Sequence, residues 1–437
     1  MKKFQALSLP VVVLAISWLP GSVFRSSAVA QGAPASAQGA PVAGVQLTAP
    51  ASPVPADFFG MHMHNTVTIK ASKGFVFTPW PQIPFHTWRL WDVQTTWRQM
   101  EQRKGTWYFG LLDQYVALAE QNHVDVLMTL GQTPNWASSR PTEHTYFPGT
   151  AAEPTSMDDW DDYIRTMATH YKGRIHAYEL WNEPNLPMYF SGSVQTLADM
   201  SQRAVAILRQ VDPSVTIVSP GITRDPQYLD RYVKAGGTKG VNVIGFHFYA
   251  HGQPEEVVPM VAKVKQVLAA NGLGSMPIWN TESGWGDWKD GVNTFTPELA
   301  QAFVARTNIL LWASGVSRFY WYAWDNHTWV RLEMTEKDNT TEKPAAQAYR
   351  TVEGWMLGNT FQGCQRTPDN VWTCTLKRGG RPARIVWAPG GETEFNLLPE
   401  WKVTSEQDLS GKIAQMTGKK ITIGVSPVLL AQDAPSK

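Results

Sequence analysis

The sequence has little cysteine and almost no net charge. Its 437 residues include two cysteines, and 38 Lys and Arg residues nearly balance 37 Asp and Glu residues, for a formal net charge of +1. Balanced charge gives no broad electrostatic surface for nucleic acid or an anionic membrane, so we predict no nucleic-acid partner. The cysteine spacing fits no zinc knuckle, and we predict neither a metal nor a cofactor.

The two cysteines lie in one hairpin-like stretch, FQGCQRTPDNVWTCTL. In an oxidising compartment Cys364 and Cys374 can pair across this hairpin as a disulfide. Two buried thiols are the alternative. In either case catalysis by cysteine is not indicated.

The sequence also lacks an obvious membrane span at its start. The apolar run at residues 6–19 is interrupted by Pro10 and is shorter than the ~20 residues that a bilayer requires. It follows two lysines and precedes small residues at 28–30, as in a secretory signal peptide. We therefore expect residues 1–30 to be a signal peptide and residues 31–56, rich in Ala, Pro, Gly and Ser, to be a flexible leader. The chain is then periplasmic or extracellular, with no integral span after cleavage.

Strand-like apolar runs alternate with helical patterns along residues 57–358. This alternation is typical of βαβ units, and the helical segments carry apolar residues at i, i+3, i+4 and i+7. Strands are predicted at 57–65, 87–93, 124–131, 175–183, 215–221, 241–250, 276–283 and 318–325. Eight repeats predict an α/β fold, a (β/α)₈ TIM barrel. A doubly wound open sheet is the alternative, but no glycine-rich turn follows the first strand.

Two irregular regions accompany the barrel pattern. Residues 66–86 contain three prolines and are predicted to be a loop in place of the first helix. Beyond residue 358 short β-like runs replace the helical periodicity, which predicts a small, sandwich-like all-β domain at 359–437. An isolated small sheet is only marginally stable, so we expect it to pack on the barrel, with VQLTAP near residue 45 as a candidate additional strand.

Two glutamates lie at predicted strand ends. Glu183, in ELWNEPN, ends the fourth strand because Pro184 cannot continue the hydrogen-bond ladder. Glu282, in PIWNTESGWG, ends the seventh strand. Catalytic groups of a barrel gather at these C-terminal ends, and glycosidic cleavage needs one carboxylic acid and one carboxylate. Two solvated loop glutamates are the alternative.

The NEP motif and the later glutamate resemble the signature of clan A retaining glycoside hydrolases, and LWNEPN with WNTESGWG is most similar to family 39. That family includes β-xylosidases, α-L-iduronidases and bacterial endoglycosidases of biofilm exopolysaccharides. The resemblance implies that Glu183 is the acid/base, that Glu282 is the nucleophile and that Asn182 holds the sugar 2-hydroxyl.

Further polar residues at strand ends support these roles. Arg89, on the second strand, is the expected cation for Glu282. Tyr249, in an H-x-Y arrangement with His247 that also resembles the clan, is expected to donate a hydrogen bond to Glu282. His62 and His64 are expected to line a sugar subsite. For Tyr249 the alternative is a core tyrosine with a satisfied hydroxyl.

Aromatic rings stack on the apolar faces of sugars, and several of the 20 tryptophans lie near predicted strand ends. Trp324 is the main candidate for a sugar platform, with Trp136 and either Trp285 or Trp288 at further subsites. Core packing is the alternative for each.

We predict from these features a monomeric, endo-acting hydrolase whose substrate is an extracellular polysaccharide or oligosaccharide. An exo-acting glycosidase such as a β-xylosidase is the alternative within the same chemistry. A zinc-dependent amidohydrolase, using His62, His64, His247 and Asp325, is a rival from another class, although its expected histidine on the fifth strand is absent from VTIVSPGITR. A non-catalytic polysaccharide-binding barrel is the third possibility.

Overall fold

A computed structural model describes residues 44–68 and 75–432. The predicted signal peptide, and residues 31–43 of the predicted leader, lie outside these ranges. The described residues belong to one compact unit, Ala43–Lys437. Within them, no helix combines the length and apolar character needed to cross a bilayer.

Parallel strands in the first part of the chain form a closed barrel. The first ten strands are β1 (Gln46–Leu47), β2 (Phe59–Met61), β3 (Thr87–Leu90), β4 (Asp125–Thr129), β5 (Ala177–Glu179), β6 (Thr216–Val218), β7 (Ile222–Thr223), β8 (Ile244–His247), β9 (Ile278–Ser283) and β10 (Arg318–Trp321). β2 to β10 share one sheet in the order β6-β5-β4-β3-β2-β10-β9-β8-β7. β6 and β7 are two parts of the fifth barrel strand. The predicted (β/α)₈ barrel is confirmed.

The barrel closes at this interrupted fifth strand. β6 pairs with β5, β7 pairs with β8, and Val218 bridges to Val243 in parallel. Pro220 and Gly221 lie in the gap, and proline has no N–H to give to a strand ladder. The interruption was not predicted, since 215–221 was expected to be continuous.

The helices surround the barrel. They are α1 (Trp97–Met100), α2 (Gly110–Gln121), α3 (Met157–His170), α4 (Val194–Val211), α5 (Pro226–Lys234), α6 (Val257–Ala270), α7 (Pro297–Ala313) and α8 (Pro344–Met356), with 3₁₀ turns at Ala56–Phe58, Pro254–Glu256 and Pro399–Trp401. Between β2 and β3 the described residues contain no helix, as expected. α5 was missed, although Asp225 caps its first turn and Pro226 begins it, which is a recognisable start signal.

The C-terminal part is all β. Its strands are β11 (Thr360–Arg366), β12 (Trp372–Arg378), β13 (Arg381–Trp387), β14 (Thr393–Asn396), β15 (Ser405–Gln407), β16 (Ile413–Gln415), β17 (Lys420–Ile423) and β18 (Val428–Ala431). β1 pairs antiparallel with β11, so the segment near residue 45 does add a strand. Cys364 and Cys374 face each other across β11 and β12, and their sulfurs are bonded.

The β part packs on the barrel helices. Trp387 Nε1 donates to Glu255 Oε1 (2.8 Å), and Trp355 Nε1 on α8 donates to Gln407 Oε1 (3.0 Å). Inside the barrel, a buried apolar layer of six side chains closes the interior: Leu127, Ala177, Val218, Val243, Trp279 and Tyr320. Polar side chains above this layer form the site.

Candidate active site

Glu183 and Glu282 both line a cavity of about 720 Å³ at the C-terminal ends of the strands. Active sites of this barrel fold lie at that end. A second cavity, of about 790 Å³, lies at the N-terminal ends of the strands and contains neither glutamate. We place the candidate site at the first cavity because the ionisable groups that can do chemistry converge there.

The backbone of Glu183 is held in an unusual conformation. Its φ of 43° lies in the left-handed region, which costs a non-glycine residue on the order of 1–3 kcal/mol. Glu183 N–H donates to Gly221 O (2.8 Å), and Glu183 O accepts from Leu186 N–H (3.0 Å). These contacts fix the backbone of Glu183, whose side chain lines the cavity.

The Glu282 carboxylate accepts two strong hydrogen bonds. Arg89 Nη1 donates to Oε2 (2.7 Å), and the Tyr249 hydroxyl donates to Oε1 (2.7 Å). Burial raises the pKa of Glu282, while the Arg89 guanidinium and the hydrogen bond from Tyr249 oppose that rise. Burial also keeps the pKa of Tyr249 well above its usual value, so the phenol stays protonated and can donate. These donors favour the ionised form of Glu282.

Arg89, whose side chain is fully buried, connects the site. Besides Glu282 it donates from Nε (2.8 Å) and Nη2 (2.5 Å) to Glu179 Oε2, and from Nη2 to Asn182 Oδ1 (2.7 Å). Arginine only donates, so the atom of Asn182 facing it must be the oxygen. The Asn182 amide nitrogen therefore remains a donor. Glu179 was not among the predicted site residues.

Glu183 has a different partner. Its Oε1 lies 2.9 Å from His247 Nδ1. Burial lowers the pKa of His247 to about 4, so this imidazole is neutral at physiological pH. Burial raises the pKa of Glu183 to about 7. A carboxyl group with that pKa can hold a proton and release it near neutral pH, as a general acid must.

The two carboxyl groups are close together. One ligand atom from each of Glu183, His247 and Glu282 lies within 4.8 Å of the others. Such a set can in principle hold a cation, but its atoms already contact one another, Arg89 and Tyr249. The spacing approaches the ~5 to 5.5 Å of retaining glycosidases and is well below the ~6.5 to 9.5 Å of inverting ones.

The structure separates His62 from His64. His62 is fully buried and its Nε2 lies 3.1 Å from Thr281 O, so it lies beneath the cavity rather than in its lining. His64 lines the cavity, and its Nδ1 lies 2.9 Å from Asp325 Oδ1. Asp325 also accepts from the backbone N–H groups of His64 and Asn65. The histidines of the amidohydrolase alternative are therefore occupied by separate hydrogen bonds.

Of the four tryptophans predicted to stack on sugars, Trp288 lines the cavity and the other three do not. Trp324 is in the core, Trp285 stacks on Trp321 beneath the cavity, and Trp136 packs against Trp97 while its Nε1 donates to Glu101 O (2.7 Å). None of these three lines the cavity. In the described residues, the aromatic side chains that line it are Trp91, Tyr146, Phe147, Tyr189, Tyr249, Trp288, Tyr322 and Trp329.

An eight-stranded barrel with a glutamate beyond its fourth strand and another on its seventh defines the clan A class of glycoside hydrolases. The sequence model of the family described as Glycosyl hydrolases family 39 matches residues 70–290, half of the chain. The chain belongs to this family.

Individual relatives are distant. A β-xylosidase of Caldicellulosiruptor saccharolyticus is 22% identical over 165 residues, which cover 35% of this chain and 34% of that protein. Thus the match spans about a third of the curated relative. A family 39 glycoside hydrolase from the gut symbiont Bacteroides cellulosilyticus WH2 superimposes with a TM-score of 0.66 at 18% identity, over 80% of this chain and 76% of that one. A family 39 β-xylosidase from Caulobacter crescentus superimposes with a TM-score of 0.60 at 14% identity, over 87% of this chain and 97% of that one. These two structural likenesses show a common fold.

Proposed function

We propose that this chain hydrolyses O-glycosidic bonds by double displacement, with net retention of the anomeric configuration. The observation that carries the proposal is the pair of neighbouring buried glutamates with unlike partners. Glu282 faces a guanidinium and a phenol, whereas Glu183 faces a neutral imidazole. One carboxyl group is thus prepared to be an anion and the other an acid.

In the first step, Glu282 attacks the anomeric carbon while Glu183 gives its proton to the departing glycosidic oxygen. A covalent glycosyl ester forms on Glu282 and the leaving group departs as an alcohol. In the second step, Glu183 takes a proton from water, which attacks the same carbon and releases Glu282. The Asn182 amide nitrogen, oriented by Arg89, can donate to the sugar 2-hydroxyl during both steps.

Two modes of action are candidates. The relatives from Caldicellulosiruptor and Caulobacter are β-xylosidases, which favours exo-acting release of a single sugar. We take this as the first candidate. Endo action on a polysaccharide is the second, and one observation favours it: aromatic side chains enter the cavity from opposite sides of the barrel.

Tyr146, Phe147 and Tyr189 follow β4 and β5 and contact one another. Trp288 and Trp329 follow β9 and β10, with ring centroids 5.1 Å apart. Because these strands lie across the barrel from each other, sugar rings could stack on both sides of the glutamates. A longer glycan would then span the cavity.

Product analysis decides between the two modes. Purified protein is incubated with 4-nitrophenyl β-xyloside, with xylo-oligosaccharides and with a panel of bacterial polysaccharides. Exo action predicts single sugars from the first minutes, whereas endo action predicts an early fall in viscosity and oligosaccharides of several lengths. No turnover of any substrate, together with binding of an oligosaccharide, would instead support a non-catalytic role.

We also propose that residues 1–30 direct export and that the exported protein is a monomer. The lysines, apolar run and small residues at the start of the chain support export. N-terminal sequencing of the exported protein tests the cleavage, and light scattering tests the monomer.

A further inference from the structure

Three polar atoms beneath Glu183 are buried without a hydrogen-bond partner among the described residues. They are His247 Nε2, Glu179 Oε1 and Thr281 Oγ1. A buried polar group left unpaired costs about 1–3 kcal/mol, so three together call for an explanation.

The three atoms converge on the space beside Gly221. A Cβ placed on this glycine would lie 2.4 Å from His247 Nε2, 2.8 Å from Glu179 Oε1 and 3.0 Å from Thr281 Oγ1. The three atoms therefore surround one small space, where a single buried water could join them. A larger residue at 221 would fill this space, which explains why the interrupted fifth strand carries a glycine here.

Glu179 is divided between two environments. Its Oε2 accepts from Arg89 and from Thr129 Oγ1 (2.9 Å), whereas its Oε1 faces the space shared with His247. A carboxylate oxygen can only accept a hydrogen bond. A neutral imidazole has one N–H, and the nitrogen facing a carboxylate is the one that gains by carrying it.

We propose that Glu179 holds His247 in the tautomer protonated at Nε2, so that Nδ1 accepts a hydrogen bond from the carboxylic acid of Glu183. The proposal rests on the proposed role of Glu183 as general acid. Glu179 is then a positioning residue, since it acts through His247 and does not touch the substrate. One buried water in this space can accept from Nε2–H and donate to Glu179 Oε1 and to Thr281 Oγ1, which gives all three atoms a partner.

The opposite tautomer would have the contrary effect. A proton on Nδ1 would donate to Glu183 and stabilise its carboxylate, while the lone pair of Nε2 would face the oxygen of Glu179. The other charged groups around His247 do not reverse this preference. Glu282 Oε1 lies 4.0 Å from Nδ1 and has its own donors, Arg89 is paired with Glu179 and Glu282, and burial keeps the pKa of the neighbouring His62 low.

The tautomer can be read directly, without a substrate. The full chain is produced with ¹⁵N-labelled histidine, and long-range ¹H–¹⁵N spectra are assigned by the loss of one ring in His247→Gln. The wild type is expected to show His247 neutral and protonated at Nε2. A proton on Nδ1, or on both nitrogens at pH 6 to 7, would overturn the proposal.

Glu179→Gln sharpens the test. Arg89 only donates, so the amide oxygen of the substituted side chain must face it, which turns the amide N–H₂ toward His247 Nε2. The proton is then expected to move to Nδ1. The matched control is Glu353→Gln, a buried glutamate of α8 near His86, which should leave the tautomer at Nε2. An unchanged tautomer in folded Glu179→Gln would contradict the proposal.

The pH profile gives a second reading. With Nδ1–H donating to Glu183, the alkaline limb of kcat/KM is expected to move to lower pH by about one unit in Glu179→Gln. A move to higher pH would count against the proposal. If the chain hydrolyses no glycoside, the proposed function fails while the tautomer measurement still decides the role of Glu179.

Discussion

Glu183 and Glu282 occupy equivalent places at the barrel mouth but have opposite surroundings. On the β9 side, Glu282 receives hydrogen bonds from a guanidinium and a phenol. On the β5 side, Glu183 meets a neutral imidazole, and burial raises its pKa to about 7. The position in the fold brings a carboxyl group to the site, and the neighbouring donors decide whether it works as an anion or an acid.

The largest effect on activity is expected when either carboxyl group is removed. Glu183→Gln and Glu282→Gln are each expected to lower kcat/KM by roughly 10⁴-fold or more on a natural glycoside, because each removes a group that both steps require. The two variants should differ on an aryl glycoside with an acidic phenol leaving group. Glu183→Gln should keep more of its first step there, since such a leaving group needs little protonation. Equal losses on both substrates would argue against the assigned roles.

Removing one donor from the Glu282 side should have a smaller effect. Tyr249→Phe is expected to lower kcat by ~10²-fold, a typical loss for one preorganised hydrogen bond to a reacting group. Thermal unfolding should shift little, because the ring keeps its contacts with Trp288 and Trp329. Wild-type kcat in this variant would show that the phenol does not support the nucleophile.

The pH dependence of kcat/KM compares the two sides in the unmodified protein. Glu183 must be protonated, so activity should fall as pH rises through about 7, roughly tenfold for each further unit. Glu282 must be ionised, so activity should also fall at low pH, at a limb above the ordinary carboxylate range because burial raises its pKa. Stopped assays between pH 4 and 9 check both limbs. Full activity at pH 9 would contradict the assignment of Glu183.

The smallest effect on chemistry is expected from the aromatic lining. Trp329→Ala should raise KM several-fold and change kcat less. Stacking stabilises the bound substrate and the transition state about equally, so its loss weakens binding more than it slows the chemical step. Trp324→Ala is the contrasting variant, since its ring is in the core and its loss should destabilise the fold by about 3–5 kcal/mol. Assays of KM together with thermal melts separate the two. If Trp324→Ala were as stable as the wild type but had a raised KM, Trp324 would contact the substrate after all.

The sequence predicted the parts of the fold that local periodicity encodes. The eight barrel strands lie at their predicted places, although the fifth is interrupted, and both glutamates at the predicted strand ends line the cavity. Glu179 was missed, although it lies four residues before Glu183 within the predicted strand 175–183. Side chains two or four apart along a strand share a face, so its inward orientation could have been read.

Other features depend on contacts between residues far apart in the chain, so they could not be predicted from the sequence. The left-handed backbone of Glu183 is held by Gly221, which lies far along the chain in the gap between β6 and β7. Trp285 lies beyond the end of β9, where strand alternation no longer applies, and packs against Phe303 of α7. Whether a tryptophan beyond a strand end meets substrate or core depends on the path of its loop, which neighbouring loops determine.

Rescue by azide tests the central claim most directly. This small anion can act in place of the missing carboxylate, and the anomeric configuration of the glycosyl azide shows which carboxylate was replaced. In Glu183→Ala, azide should attack the glycosyl ester on Glu282 and give a glycosyl azide with the configuration of the substrate. In Glu282→Gly, azide should take the place of the nucleophile and give the opposite anomer. Proton NMR of the two products reads both results. The same anomer from both variants, or the two results exchanged, would contradict the assignment of Glu282 as nucleophile and Glu183 as acid/base.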